Sequence, residues 1–265
     1  MNKIPKIIHY CWFGKSPLTP LAKKCIRSWK KYCPDFKIME WNEENFDIHS
    51  NLYVKQAYEA KKWAFVTDYV RLYALQMFGG IYMDTDVEVI KKIDVFLSHN
   101  AFLGFEEKDH IATAIMGAEK GSKWVERFLE YYKNKSFINE DNSFDMTTNV
   151  ITITRIMRKH YNLQLDNTLQ ELEGGLVLYP QEFFCPKDFF TGKINKTQNT
   201  YTIHHFNGSW HDNEERLLRK LKYIFGIEIG SKFYAIFCSV KKNGILNTIS
   251  KVIKYAKDAR KWRLH

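Results

Sequence analysis

Two aspartates, Asp84 and Asp86, interrupt an apolar stretch that runs from Ile81 to Val89. If this stretch is extended, residues i and i+2 point to the same side, so both carboxylates can face one cation. Carboxylate oxygens suit Mg²⁺ or Mn²⁺, which keep open positions for phosphate oxygens. The alternative is a solvated turn after a strand. Because carboxylates among apolar residues are costly without a partner, the context favours a bound metal.

An acidic and a basic residue, Asp68 and Arg71, lie three positions apart in the stretch from Glu59 to Phe78. The rest of this stretch is mostly apolar and predicts a buried helix, on which residues three apart share a face. One interpretation is a local ion pair that bridges to a loop. The other is that both side chains bind the hydroxyl groups and charge of a polar ligand.

Two adjacent histidines, His204 and His205, follow a predicted strand and precede the segment from Phe206 to Trp210. One of them could be a third ligand for a metal bound by the aspartates. For His204 a satisfied structural role is the simpler interpretation. Trp12 ends the first predicted strand and is either a core aromatic or a plate on which a nucleobase stacks.

Strands and helices that would position these side chains alternate along the chain. Short apolar runs predict strands at Lys6–Phe13, Phe36–Trp41, Ile81–Val89, Asn100–Glu106, His110–Ala118, Leu176–Tyr179 and Tyr201–Phe206. Apolar spacings of three and four predict helices at Pro17–Tyr32, Tyr53–Tyr58, Glu59–Phe78, Lys123–Asn134 and Thr147–His160. The alternation predicts an α/β layered domain.

The composition is that of a globular protein. The 265 residues are 45% hydrophobic and 26% charged, which excludes intrinsic disorder and is enough for one large domain or a domain with an appendage. No uncharged apolar run is long enough to span a bilayer, and we expect no secretory signal at the N-terminus. The five cysteines lack CxxC spacing, which favours free thiols and a cytoplasmic location.

The positive charge is concentrated at the C-terminal end. The segment from Glu214 to His265 holds 13 basic and 4 acidic residues, in a chain whose formal net charge is +10. We therefore expect a domain at 1–212 and a basic, amphipathic helical region at 213–265, with apolar faces near Leu217–Phe225 and Ile245–Trp262. Such helices can lie on anionic membranes, or they can pack on the domain with a solvated face.

Three segments in sequence order carry a family resemblance. IPKIIHYCWFG at 4–14, AFVTDYVRLYALQMFGGIYMDTDVEV at 64–89 and IHHFNGSW at 203–210 resemble bacterial family 32 glycosyltransferases, the DXD-containing sugar transferases. The chain is also similar to the glucosyltransferase domain of large clostridial toxins and to yeast α-mannosyltransferases. The resemblance implies a GT-A fold, a Rossmann-like α/β/α domain that binds a nucleotide-sugar, and retention of the anomeric configuration. Many bacterial members act in capsule or surface-polysaccharide synthesis.

The resemblance also implies roles for single residues around the metal and the sugar. Asp68 and Arg71 match the pair that contacts the donor sugar. Asp84 matches the acid that contacts the ribose or sugar and the metal, and Asp86 matches the direct metal ligand. His205 resembles the histidine in the C-terminal metal-binding segment of related transferases.

The remaining implied residues line the donor. Trp12 matches the aromatic residue that stacks on uracil, and Trp210 matches the one that closes over the diphosphate. Ser209 and Asn149 are further donor-binding candidates, the latter in the sugar-binding region. Some related families have a lysine in the last segment that pairs with phosphate; Asn207–Ser209 contains none, so the residue that binds phosphate is unassigned.

The expected activity is that of a retaining hexosyltransferase of EC 2.4.1 type that uses Mn²⁺ or Mg²⁺. It would move glucose, galactose or an N-acetyl sugar from a UDP-sugar to a saccharide acceptor. We expect the acceptor to be lipid-linked and the protein to lie at the inner face of the plasma membrane. The alternative is a metal-dependent phosphohydrolase or nucleotidyltransferase, which would need more carboxylates or a phosphate-binding lysine loop. A nucleic-acid-binding protein is disfavoured because the body of the chain is nearly neutral.

Overall fold

The computed structural model describes residues 2–189, 191–208, 217, 218, 221 and 227–244. The chain divides into two compact units, one comprising Met1–Asp188 with Ile194–Trp210, the other Phe189–Lys193 with His211–His265. The expected boundary between residues 212 and 213 lies outside the described residues, as do most residues of the two expected tail helices.

The first unit contains a mixed eight-stranded sheet and a separate two-stranded ribbon. The strands are β1 Ile7–Cys11, β2 Lys37–Trp41, β3 Gly80–Met83, β4 Val87–Val89, β5 Ala101–Glu107, β6 His110–Ile111, β7 Ile115–Ala118, β8 Gln170–Leu172, β9 Leu176–Tyr179 and β10 Thr202–His204. The sheet order is β2-β1-β3-β7-β5-β9-β8, with β6 beside β5, and β4 pairs with β10 in the ribbon. The pairs β1–β2, β1–β3 and β5–β9 are parallel.

Helices cover both faces of the sheet. They are α1 Pro20–Tyr32, α2 Leu52–Glu59, α3 Trp63–Phe78, α4 Lys123–Tyr132, α5 Asn149–His160 and α6 Gln181–Phe184. Strand β1 shows the alternation that produces two cores: Ile8 and Tyr10 enter one, Cys11 the other. Helices α2 to α5 line the core that contains Cys11, whereas α1, α6 and β4 line the opposite core. The predicted α/β layered class is confirmed.

Two predicted strands are each divided in the structure, and β8 and α6 lie where no element was predicted. The strand expected over Ile81–Val89 is two strands, β3 and β4, and the two aspartates lie in the turn between them. The strand expected over His110–Ala118 is also two strands, β6 and β7. In both places the strand pairing is interrupted although the sequence stays mostly apolar. The reason is that the connecting residues are themselves buried or have buried neighbours.

Two glycines join α3 directly to β3. Gly79 has φ +64° and Gly80 has φ +109°, values that residues with a Cβ rarely adopt. A Cβ at Gly80 would lie 2.7 Å from the backbone oxygen of Ile7 on the neighbouring strand. Nε2 of His9 lies 2.8 Å from the carbonyl oxygen of Gly79. Neighbouring atoms therefore lie close to both glycines, and the connection fixes the end of α3 against β3.

The second unit contains one described helix, α7, at Ile227–Asn243. The apolar residues Ile229, Phe233, Ile236 and Phe237 lie on one helical face, since their spacings are four, three and one. They are 42–53% exposed. Within the described part of the chain, no helix has both the length and the apolar character needed to cross a bilayer.

The α3–β3 connection predicts a large stability difference between two glycine substitutions. Gly80→Ala should lower the free energy of unfolding by about 3 kcal/mol, because it adds a steric overlap to an unfavourable φ. Gly121→Ala is the matched control: its φ is +72°, but nothing lies within 4 Å of the added Cβ. It should lose only about 1 kcal/mol. Urea unfolding followed by circular dichroism measures both, and equal losses would contradict the steric argument.

Candidate functional site

A β-turn brings the two aspartates together. The backbone nitrogen of Val87 donates to the carbonyl oxygen of Asp84 at 3.0 Å, which closes the turn after β3. The backbone nitrogen of Asp84 donates to the carbonyl oxygen of Ala114 at 2.8 Å and so ties the turn to the start of β7. The carboxylates are close because the chain reverses between β3 and β4, and not because an extended strand presents them on one side.

Neighbouring groups fix the Asp84 carboxylate. The Tyr82 hydroxyl donates to Oδ1 of Asp84 at 2.8 Å, and Nη2 of Arg71 lies 3.3 Å from the same oxygen. The Asp84 side chain is 26% exposed, so one side faces solvent. Burial raises the pKa of Asp84, and the charge of Arg71 acts in the opposite direction. One carboxylate oxygen is thus held by the protein, and the other can bind a ligand.

The Arg71 guanidinium is the buried cation of the site. Its Nε donates to the carbonyl oxygen of Thr67 at 3.1 Å, and Nη1 donates to that of Thr113 at 2.8 Å. Nη2 lies 3.3 Å from Oδ1 of Asp68, and the guanidinium carbon is 4.6 Å from the centre of the Tyr82 ring. Burial would lower the pKa of Arg71, but the carboxylates raise it above its ordinary value. The side chain therefore stays charged.

Asp68 shares Arg71 with Asp84 but is buried more deeply. Its side chain is 8% exposed, and burial raises the pKa of Asp68 to about 7 despite the charge of Arg71. Of the two interpretations of this pair, the structure shows the internal ion pair. Contact of Asp68 and Arg71 with a donor sugar stays a prediction.

His204 joins the aspartates from the ribbon. It ends β10, pairs with Val87 of β4, and places its Nε2 3.4 Å from Oδ1 of Asp86. The backbone nitrogen of Asn207 donates to the other oxygen, Oδ2, at 2.7 Å. Burial alone would raise the pKa of Asp86, but the charge and hydrogen bond of His204 and the bond from Asn207 lower it to about 2.

The same pair holds a proton on the histidine. Burial would lower the pKa of His204, yet the Asp86 carboxylate raises it well above its ordinary value. The negative charge of Asp86 thus favours positive charge on His204. A divalent cation could supply that charge instead, provided that the imidazole first loses its proton.

Asp84, Asp86 and His204 form a set of possible metal ligands. One ligand atom from each lies within 4.8 Å of the others. Within the described residues, the buried Nδ1 of His204 has no hydrogen-bond partner. Two carboxylates and an imidazole suit Mn²⁺ or Mg²⁺. These residues therefore fit the divalent cation that the sequence predicts.

The structure places the expected third ligand, His205, elsewhere. Adjacent residues of an extended strand point to opposite sides, so His205 turns away when His204 faces Asp86. Nε2 of His205 lies 2.8 Å from Oε2 of Glu88, which also accepts a hydrogen bond from Lys24 at 2.7 Å. The histidine expected to have a structural role is the one beside the aspartates.

The remaining predicted residues lie at different distances from the turn. Trp12 follows β1 at the end where the parallel strand β3 leads to Asp84, and its Nε1 donates to the carbonyl oxygen of Ser16 at 2.5 Å. Asn149 begins α5 and accepts a hydrogen bond from the Thr113 hydroxyl at 2.9 Å. Ser209 and Trp210 lie outside the described residues.

Sequence reasoning missed three residues that hold this site together. Tyr82 could have been found, because it lies two residues before Asp84 on a strand and shares its side. Thr113, whose carbonyl oxygen binds Arg71, gives no signal in the sequence. Lys187 gives no signal either. Its Nζ donates to the carbonyl oxygen of His205 at 2.6 Å and so brings an ammonium group to the segment at 203–210, which has no lysine of its own.

Comparison with known proteins finds a family model that matches part of the chain. Residues 20–103 match the glycosyltransferase sugar-binding region containing the DXD motif. Over 114 residues the chain is 27% identical to inositol phosphoceramide mannosyltransferase 1 of Schizosaccharomyces pombe, covering 39% of this chain and 34% of that protein. Mannosyltransferase 3 of that organism is 26% identical over 134 residues, covering 46% and 35%. The chain thus spans about a third of these relatives.

Solved structures of glycosyltransferases are also similar to the chain. The PaToxG glycosyltransferase has a TM-score of 0.43 and 17% identity, covering 59% of this chain and 68% of its own. A glycosyltransferase involved in glycosylation of the major capsid of PBCV-1 has a TM-score of 0.45 and 13% identity, covering 77% and 95%.

The two histidines predict opposite outcomes for metal binding. His204→Leu should weaken Mn²⁺ binding about tenfold or more, because it removes a ligand. His205→Leu should leave the affinity within about twofold, since that ring binds Glu88. Titration calorimetry of both variants at the same pH measures the affinities, and circular dichroism verifies folding. If only His205→Leu weakened Mn²⁺ binding, the metal ligand would be His205 and not His204.

Proposed function

We propose that this protein is a metal-dependent glycosyltransferase that moves a hexose from a nucleoside diphosphate sugar to a saccharide. One observation carries the proposal: the segment that matches the DXD sugar-binding family contains Asp84 and Asp86, and the fold brings His204 to them. A phosphohydrolase would use the same ligands, but the family match supports sugar transfer.

The ligand set would act on the leaving group. A divalent cation bound by Asp84, Asp86 and His204 would supply positive charge to the diphosphate as it departs. Arg71 and Tyr82 hold Asp84 in one orientation, so this carboxylate does not reorganise when the donor binds. Preorganised charge of this kind is often the largest contribution to catalysis.

The donor that we propose is a UDP-hexose, and two features of the fold support its placement. Trp12 lies at the same sheet edge as the aspartates, where a nucleobase could stack on it. Asn149 is linked to Arg71 through Thr113, so it lies on the side where the sugar would meet Asp68 and Arg71. Glucose, galactose and N-acetyl sugars are the proposed hexoses. The mannosyltransferase names of the relatives add mannose to the set to be tested.

Retention of configuration is part of the proposal and is supported by the family resemblance. In that mechanism the acceptor hydroxyl attacks from the face that the diphosphate leaves, and the departing phosphate takes its proton. A covalent route through a carboxylate is the alternative mechanism. The anomeric configuration of the first product, read by NMR, decides whether retention holds.

A lipid-linked acceptor in capsule or surface-polysaccharide synthesis, at the inner face of the plasma membrane, completes the proposal. Helix α7 exposes Ile229, Ile236 and Phe237 on one face, and Lys241 and Lys242 are exposed at its end. Apolar and basic side chains together suit the surface of an anionic bilayer. The relatives carry the name of a ceramide lipid, which is consistent with a lipid acceptor.

Loss of Asp86 should abolish turnover of the donor. UDP-glucose, UDP-galactose, UDP-N-acetylglucosamine and GDP-mannose are screened with Mn²⁺ for release of the nucleoside diphosphate, since water replaces the acceptor slowly. With the most active donor, Asp86→Ala should reduce the rate about a hundredfold or more, and Asp109→Ala, at an exposed position, should not. Retention of more than about a tenth of the rate would exclude the role of Asp86. Release of nucleoside monophosphate and hexose 1-phosphate, instead of nucleoside diphosphate and free sugar, would identify a phosphohydrolase.

The exposed face of α7 predicts binding to anionic vesicles. Ile236→Glu with Phe237→Glu should reduce co-sedimentation with phosphatidylglycerol-containing vesicles several-fold, because it adds charge to the apolar face. The matched control is Val95→Glu with Leu169→Glu, which are 57% and 55% exposed but lie outside α7. This control should bind as the parent does. Equal binding of all three proteins would show that α7 does not contact the membrane.

A further inference from the structure

Glu106 lies in a β-bulge beside the ligand set. It is the next-to-last residue of β5, where Phe105 pairs with Ile111 and Glu107 pairs with His110. Between these two pairs β5 advances by two residues and β6 by only one. Glu106 is therefore the extra residue of the bulge and has no residue opposite it on β6. Bulges change the direction of side chains and occur next to active sites.

The surroundings of Glu106 are those of the candidate site. The side chain is half-buried, and the charges of His204 and Asp84 act on it, as do those of Glu107 and His110 on the hairpin. Cys185 at the end of α6 is also within electrostatic reach. Burial raises the pKa of Glu106 to about 7, with Asp84 acting in the same direction and His204 against it.

Glu106 differs from the other carboxylates around the turn in its partners. Asp68 and Asp84 share Arg71, Asp86 binds His204 and the backbone of Asn207, and Glu88 has its own basic partners. For Glu106, no hydrogen bond or ion pair of the side chain is present among the residues that the structure describes. A half-buried carboxylate without a partner is costly, so a bound ligand that donates hydrogen bonds would offset the cost.

The position of Glu106 indicates which ligand group this is. In a nucleoside diphosphate sugar, the hexose is bonded directly to the diphosphate whose charge a cation on these ligands would offset. Strands β3 and β5 both run antiparallel to β7 and so end at the same edge of the sheet, where Asp84 follows β3 and Glu106 is the next-to-last residue of β5. A hexose bonded to that diphosphate would lie along this edge. Hexose hydroxyls are hydrogen-bond donors, and a carboxylate is an acceptor with two oxygens that can bind two adjacent hydroxyls.

We propose that Glu106 binds hydroxyl groups of the transferred hexose and thereby determines which sugar the site accepts. This inference rests on the proposed transferase function and adds a specificity-determining residue to it. The carboxylate takes no part in bond making: it accepts hydrogen bonds from the sugar while the bond between the anomeric carbon and the diphosphate oxygen breaks. Removing it should affect the sugar and leave the nucleotide and the metal in place.

The test compares Glu106→Gln, Glu106→Ala and Glu106→Asp in the full-length protein with Mn²⁺. Calorimetry gives the affinity for UDP, and for GDP if the active donor is GDP-mannose. Steady-state hydrolysis of the four donors gives kcat/KM. We expect each variant to bind the nucleoside diphosphate and Mn²⁺ within about twofold of the parent. The value of kcat/KM for the preferred donor should fall about tenfold or more in Glu106→Ala and less in Glu106→Asp, and the ratio among epimeric sugars should change.

Glu107→Gln is the matched control, because it changes the adjacent and equally half-buried glutamate, which keeps its pairing position opposite His110 in the same bulge. It should leave kcat/KM and the donor ratios unchanged. A fall in Mn²⁺ affinity as large as the fall in kcat/KM would overturn the proposal, because Glu106 would then act through His204. An unchanged preference among the four sugars would overturn it as well. If the parent binds no nucleotide with Mn²⁺, the transferase function itself fails, a result distinct from both.

Discussion

The ion pair between Arg71 and Asp84 is the constraint on which the rest of the site depends. Arg71 lies between the carboxylates of Asp68 and Asp84. Burial raises the pKa of both carboxyl groups, and the charge of Arg71 opposes that rise. Its remaining donors bind backbone oxygens of Thr67 and Thr113, so one guanidinium joins a helix, a turn and a loop. Removing one partner of such a buried group leaves an uncompensated charge, which typically costs about 3–5 kcal/mol. The position of the first aspartate is therefore a property of the fold.

The two glycines after α3 make that ion pair possible. They let the helix end and β3 begin without a loop, so Arg71, two turns before the end of α3, lies beside the residue that follows β3. Any side chain at Gly80 would meet the neighbouring strand β1 at Ile7. The sheet, the helix and the carboxylate are thus positioned by the same short connection.

The sequence predicted the layered class and most elements because amphipathic periodicity is a local property. It also predicted that Asp84 and Asp86 would face one cation, and the family resemblance added a histidine from the segment at 203–210. The resemblance favoured His205 as the third ligand, whereas the structure brings His204 to Asp86, because the choice depends on the pairing of β10 with β4. The turn at the aspartates was the alternative to a continuous strand, and the apolar residues on both sides of it favoured the strand. The bulge at Glu106 depends on the register between β5 and β6, which no spacing in the sequence reveals.

The ligand candidates come from two different sheets. Asp84 follows β3 of the main sheet, whereas Asp86 precedes β4 and His204 ends β10, the two strands of the separate ribbon. The ribbon is attached to α1 through the Trp29 indole, which donates to the carbonyl oxygen of Val87, and through Lys24 and Glu88. An ion held by all three ligands would therefore fasten ribbon to sheet. Substitutions on the inner face of α1, which supplies none of the ligands, then become a means of adjusting metal affinity while the coordinating atoms stay the same.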